Sequence, residues 1–311
     1  GQGRMLTEIE KGLLETIADM KDGQAEGAVN IRVDGKKVLR NSTDTIRIES
    51  KTDKDGIDIY VAAGSKNGSV HIPVVLTETG FKDKVYNDFF IGEGAEVDIV
   101  AGCGINNCGC DDSQHDGIHT FYVGKNAKVT YSEKHYGEGT GTGKRILNPQ
   151  TIIYLEEGAS MTLDLSQIGG VDDTKRYTKA KAGKDSELIV QERLLTDGNQ
   201  NAGTEMDIYL EGENARTRVI SRSVAKGNST QVFYPRVQGD AECFGHVSCD
   251  AIIMEHSKVR SIPEITCNHV DATLIHEAAI GKIAGEQITK LMTLGLTAEQ
   301  AEEKILEGFL R

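Results

Sequence analysis

From Leu6 to Asp19 the apolar side chains fall at Leu6, Ile9, Leu13, Leu14 and Ile17. That three-and-four spacing lines one face of a helix, and Thr7 stands where an N-cap belongs. A second run, Ile280, Ile283, Ile288, Leu291, Met292 and Leu294, predicts another amphipathic helix, stopped by Gly295. Thr297 with Gln300 forms a capping-box pattern that opens a third helix through Ala301, Ile305 and Leu306. Between about 30 and 273 the texture changes to short alternating strands separated by Gly, Asn and Asp.

Those strands repeat. A Gly/Asn/Asp turn, a small residue and an alternating strand recur at Gly92-Glu93-Gly94-Ala95, Gly124-Lys125-Asn126-Ala127 and Glu156-Glu157-Gly158-Ala159. Lys184-Asp185-Ser186, Glu213-Asn214-Ala215 and Gly239-Asp240-Ala241 continue the series. The small positions 95, 127, 159, 186, 215 and 241 are spaced by 32, 32, 27, 29 and 26 residues. A propeller needs a steadier period and no helix fits inside the repeat, which favours a stacked β-solenoid over a β-sandwich with frequent turns. A small residue suits the crowded inner turn of such a stack, and terminal helices are expected to cover its open edges. The expected organisation is an N-terminal helical segment over 5–29, a β-helix core over 30–273 and a C-terminal helical segment over 274–311.

Charge and composition narrow the partners. The 48 acidic and 35 basic side chains leave a net −13, and no basic cluster suggests nucleic acid. No apolar run approaches the roughly 20 residues that span a bilayer, so no membrane is expected either. The charged start lacks the apolar core of a secretion signal, which points to the cytoplasm. Gly1-Gln2-Gly3-Arg4 ahead of Met5 reads as a leader left by cloning and is set aside. In a reducing compartment the six cysteines are then free thiols or metal ligands rather than a disulfide framework.

Two groups of residues carry chemistry. Cys103, Cys108 and Cys110 lie within eight residues of Gly-rich chain, followed by Asp111, His115, Asp116 and His119. Such thiolates suit three corners of an iron–sulfur cluster or much of a zinc site; three unpaired loop thiols are the plain alternative. The later group holds Cys249 in Gly245-His246-Val247-Ser248-Cys249-Asp250, then Cys267, then His276-Glu277. Taken singly, these also fit a small buried thiol on a strand and an acidic helix start. A phosphate loop is excluded: in Gly137 to Arg145 the required Gly and Ser/Thr places hold Glu138 and Arg145, so nucleotide hydrolysis has to come from a partner.

From about Gly92 to Gly308 the chain resembles the SufB/SufD family, scaffold subunits of the Suf system for iron–sulfur assembly. The likeness is strongest at Cys249-Asp250 opening a short apolar strand, at Ala272-Thr273-Leu274-Ile275-His276-Glu277-Ala278-Ala279, and at Gln287, Gly295 and Leu296 in the final helix pair. This resemblance implies a right-handed parallel β-helix that forms a homodimer through strands in 240–270. It implies helices at about 280–310 that dock an ABC ATPase, and a transient cluster held by Cys249 and Glu277, with His276 beside them. A Cys at 249 places the chain on the SufB-like side, in a short form like that of archaea and anaerobic bacteria. Cys243 is only a weak match to the family's sulfur-accepting Cys, and the Cys103, Cys108 and Cys110 loop offers a second cluster site. The expected role is therefore a non-enzymatic scaffold. Its alternatives are a structural zinc-binding interaction protein and, further off, a β-helix polysaccharide enzyme, for which Asp111, Asp112 and Asp116 form the one dense acidic group.

Overall fold

A computed structural model describes residues 4–311; Gly1, Gln2 and Gly3 lie outside the described residues. The repeat folds as expected, into a parallel β-solenoid of about eight coils with flanking helices. Each coil contributes one strand to each of two sheets. The first sheet orders β2 (Lys36–Asn41), β1 (Ala28–Val33), β5 (Gly68–Leu76), β7 (Glu96–Asn106), β9 (Lys128–Glu138), β12 (Ser160–Gly169), β14 (Glu187–Thr196), β16 (Ala215–Ala225), β18 (Cys243–Ile253) and β21 (Ala272–Gly281). The second orders β3 (Ile46–Ser50), β4 (Gly56–Val61), β6 (Lys82–Ile91), β8 (Ser113–Val123), the pair β10 (Arg145–Leu147) and β11 (Gln150–Leu155), β13 (Asp173–Ala182), β15 (Asn201–Leu210), β17 (Thr230–Gly239), and the pair β19 (Lys258–Ser261) and β20 (Glu264–Cys267). Only the two N-terminal hairpins, β1–β2 and β3–β4, pair antiparallel.

The turn that repeats in the sequence has one geometry. Ala95, Ala127, Ala159, Ser186 and Ala215 each donate their backbone N–H to the carbonyl three residues back. The residue just before each, Gly94, Asn126, Gly158, Asp185 or Asn214, has φ between 55° and 73°. Gly, Asn and Asp tolerate that left-handed conformation best, which is why they punctuate the repeat. The small side chains point into the core, fully buried. Register corrects the last member of the series: Ala215 pairs with Cys243, not Ala241, so the thiol occupies the small inner position of its coil.

Between the sheets lies one long apolar core of Ile, Val, Leu and Ala, with Phe89 and Phe121 stacked at 4.2 Å. The N-terminal helix α1 (Glu8–Ala18) starts at Thr7 with a full capping box to Glu10. It does not cover an open edge, as the pattern suggested. Leu13, Leu14 and Ile17 pack instead on the outer face of the first sheet, against Val29, Ile31, Val33 and Val75. That explains why β1 is buried on both faces. At the far end, α2 (Gly285–Met292) begins later than its apolar pattern implied, because Ile280 is still paired within β21. The helix α3 (Ala298–Phe309) has the Thr297–Gln300 capping box. Neither helix closes the stack, and β21 remains an edge strand with Ile275 and Ile280 exposed.

Candidate functional site

Strand alternation places Cys243, Val247, Cys249 and Ala251 on the inward face of β18, where they are buried. Across the sheet, Cys249 sits in one ladder with Glu133, Leu165, Glu192, Ser221 and Ala278. A parallel ladder holds Cys103, His135, Gln167, Leu194 and Ser223. Polar groups thus enter an otherwise apolar core at positions that alternation assigns to it.

They are bonded to one another. Tyr131 donates its hydroxyl to Glu133 Oε1 at 2.8 Å and lies 2.7 Å from His119 Nδ1. His119 Nε2 is 3.2 Å from the Asn87 amide, whose oxygen accepts from Ile57 N. This order of partners assigns the proton to His119 Nδ1 and makes Nε2 the acceptor. Arg176 Nη1 meets Glu133 Oε2 at 2.6 Å, with both side chains 5% exposed. Glu192 accepts from Thr204 at 2.9 Å and from Ser221 at 3.3 Å.

Burial and charge set the protonation states. Burial alone would raise Glu133, but Arg176, aided by His135 and His119, overrides it and holds the carboxyl well below its ordinary value. Glu192 moves the other way, raised by burial in spite of Arg176. Burial pushes His119 down to about 4 and His135 to about 3, so both rings are neutral near pH 7. Cys249 is raised to about 11, chiefly by burial, against the help of a hydrogen bond from Ser261. At rest it is a thiol, and a metal-binding thiolate has to be uncovered first.

The other predicted residues fall around it unevenly. His276 is in register with Val247, on the inward side one step from Cys249, and is exposed because no further coil covers it. Glu277 pairs with Ser248, on the opposite face of the sheet from Cys249, with its Oε2 3.5 Å from His246 Nε2. Within one chain Cys249 and Glu277 therefore do not converge. Cys267 is exposed at the end of β20.

The early thiols are also divided. Cys103 is buried among Val74, Leu76, Ile105, Leu147 and Val171, and burial, with Asp83 and Glu133 nearby, raises it well above its ordinary value. Cys108 and Cys110 are exposed in the loop beyond β7, where Cys108 Sγ is 3.1 Å from Asn106 Oδ1. Among the described residues no three His, Cys, Asp or Glu side chains stand close enough to share a metal.

The family model described as "SUF system FeS cluster assembly, SufBD core domain" matches residues 87–309. The chain belongs to the SufBD family. An iron-sulfur cluster assembly SufBD family protein of Archaeoglobus fulgidus is 31% identical over 280 residues, covering 88% of this chain and 73% of its own. One from Pyrococcus horikoshii is 26% identical over 301 residues, covering 90% and 86%. One from Methanothermobacter thermautotrophicus is 26% identical over 235 residues; the match takes in 72% of this chain and only 54% of that longer protein. Among the described residues of this SufBD protein no helix is long and apolar enough to cross a membrane.

The buried polar group of Tyr131, Glu133, Arg176 and Glu192 was not singled out from sequence. Its signal is phase: in Val129, Tyr131, Glu133, His135 and in Leu188, Val190, Glu192, Leu194 the charged residues fall on the apolar beat of the strand. The members that the turn repeat made legible were structural ones.

Proposed function

We propose that this SufBD protein is a cytoplasmic scaffold on which an iron–sulfur cluster is assembled, with Cys249 as its principal thiolate. The observation that carries the reading is the position of Cys249: an inward thiol at the end of a polar ladder, one strand from the open edge of the solenoid. His276 and Glu277 lie on that edge strand, on its two faces. A second copy of the chain would cover the edge, since an uncovered strand with exposed Ile275 and Ile280 invites pairing. It would also bring in ligands that one chain cannot supply on a single face.

The helices α2 and α3 suit docking of an ABC ATPase that hydrolyses ATP elsewhere. They fold on each other, α2 buries none of its residues, and Met292 and Leu294 are exposed. Arg311 ties back to the solenoid, where the exposed Arg222 of β16 donates Nη1 to the Arg311 carbonyl at 3.0 Å. Motion of the ATPase pair would thus pull on β16, the strand paired with the one that carries Cys249, and release a thiol sealed at rest. The cluster is cargo, built and then handed on. Cys108 and Cys110, exposed together, form the rival metal-binding group, for a cluster or for zinc, with Cys103 recruited only if the end of β7 opens.

Thiol alkylation followed by mass spectrometry tests the coupling. Cys108 and Cys110 should be modified at once in the isolated protein, and Cys249 only when the ATPase and ATP are added. Labelling of Cys249 at the same rate with and without ATPase would end this mechanism.

A further inference from the structure

Two motifs meet at one corner of the solenoid: the thiols Cys108 and Cys110, and the glycine-rich stretch from Gly137 to Arg145 that is not a phosphate loop. The segment from Gly139 to Gly143 lies along the loop that carries the thiols. Gly141 N donates to the Asn107 carbonyl at 3.1 Å, and Gly143 N donates to the Gly109 carbonyl at 3.0 Å. A Cβ added at Gly141 would stand 2.2 Å from the Gly109 carbonyl oxygen, so only glycine lets the two backbones lie this close. From the other side Thr79 exchanges hydrogen bonds with Asp111, and a Cβ added at Gly109 would meet the Thr79 side chain at 2.5 Å.

The loop is also organised from within. The Asn107 side chain is fully buried: its Oδ1 accepts from Gly109 N at 3.1 Å, and its Nδ2 donates to the carbonyls of Asp111 at 2.8 Å and Lys144 at 3.1 Å. The chain bends over Gly109, Cys110 and Asp111. Two residues of chain span at most about 7 Å, and a bend shortens that into the roughly 4.4–6.8 Å between Cα atoms that a disulfide requires. Both thiols are exposed, whereas Cys103 is sealed among apolar side chains. The two differ in one respect. Asn106 Nδ2 donates to Glu138 Oε2 at 2.8 Å, which turns the amide oxygen toward Cys108, and the Cys108 thiol donates to that oxygen at 3.1 Å. Cys110 has no such acceptor among the described residues.

We propose that Cys108 and Cys110 form a thiol–disulfide exchange site whose reactant is a small-molecule disulfide. Cys110, whose proton no acceptor holds, attacks as the thiolate. Its sulfur bonds to one sulfur of the reactant, the reactant's S–S bond breaks, and the other half leaves as a thiolate that takes up the proton Cys110 gave up. Cys108 then attacks the mixed disulfide at the Cys110 sulfur, closes the bridge and expels the second half as a thiol. The loop loses two hydrogens with their electrons, and one disulfide becomes two thiols. A bridge around a single glycine closes a tight ring, and strained, exposed disulfides are the readily reduced kind, so the exchange runs backward when thiols are in excess. While bridged, neither sulfur can ligate metal, so the exchange also decides when this loop is open to zinc or iron. The site is distinct from the Cys249 edge and stands whether or not a cluster is built there.

Oxidised glutathione, added anaerobically to the full chain in rising ratio to reduced glutathione, tests the site, with acid quenching, alkylation and mass spectrometry as the readout. In the parent, alkylation should fall at Cys108 and Cys110 together, with no lasting glutathione adduct, and return when reduced glutathione is in excess. In Cys108→Ser the adduct should stay on Cys110. In Cys110→Ser, Cys108 should react about tenfold more slowly than Cys110 does in Cys108→Ser, because a hydrogen bond that holds its proton is worth about that factor. Thiols that stay free at every ratio, that pair with another cysteine, or that keep separate adducts in the parent would overturn the proposal. A Cys108 that reacts faster than Cys110 would overturn the order of attack. The parent alone decides whether the bridge forms, so that result does not depend on either variant folding.

Discussion

Glu133 and Arg176 form an ion pair sealed inside the solenoid, beside two histidines that stay uncharged. Removing one partner of such a pair leaves a buried charge uncompensated, so replacing either residue alone should destabilise the fold. Their electrostatics also predict an acid limb of stability. An unfolded His takes its proton near pH 6.5, whereas folded His119 does so only at about 4. Its contribution is therefore complete above 6.5 and is lost as the pH falls from there toward 4, by roughly 3 kcal/mol once the fall is complete. His135 acts in the same direction, and Glu133, depressed below 4.5, extends the loss to lower pH. Glu192, raised above 4.5, opposes them, since its share is full below 4.5 and fades as the pH rises. The melting temperature of the parent should thus drop between pH 7 and pH 5, and His119→Asn should flatten that slope. A parent whose melting temperature does not change over this range would contradict the neutral assignment.

The elements draw their definition from turn chemistry more than from strand propensity. Five successive coils place Gly, Asn or Asp in the left-handed position before a buried small residue. At Asn214, φ 62°, a β-branched side chain is strained where Gly is not. Asn214→Val should therefore cost about 1–2 kcal/mol in a denaturant melt while Asn214→Gly stays near the parent. Equal midpoints for the two variants would show that the turn does not govern the coil. This turn repeat and the capping boxes at Thr7 and Thr297 were legible because they are local, written in four consecutive residues. Long-range placement was not. The amphipathic face of α1 says that it packs, but not that it packs on the outer face of a sheet instead of an open edge. Ile280 carries a helical spacing, yet pairing with β18 keeps it in a strand. Ala241 looked like the small residue of its turn because the loop before β18 is shorter, and only register shows that Cys243 takes that place. In the candidate site, Cys249 and Glu277 stood out by their resemblance to a family. Their placement on opposite faces follows from a one-residue offset between β18 and β21 that neither segment reveals alone.

Taken as a whole, the molecule is a solenoid with two different ends. The N-terminal end carries the two antiparallel hairpins, and the C-terminal end leaves the outer edge of β21 open beside the strand that holds Cys249. We propose, from membership of the SufBD family and the inward thiol at the open end, that the cluster belongs to that end, in a dimer moved by an ATPase. The two accessible thiols of the early loop are the competing location, and a single set of samples separates them. Iron and acid-labile sulfide should be measured, with the visible spectrum, after anaerobic reconstitution of the parent, of Cys249→Ser and of Cys103→Ala/Cys108→Ala/Cys110→Ala. The expected result is matched iron and sulfide in the parent and the triple variant, and loss of both from Cys249→Ser with its melting temperature kept. A cluster that survives in Cys249→Ser but disappears from the triple variant would contradict the assignment and move the site to the early loop.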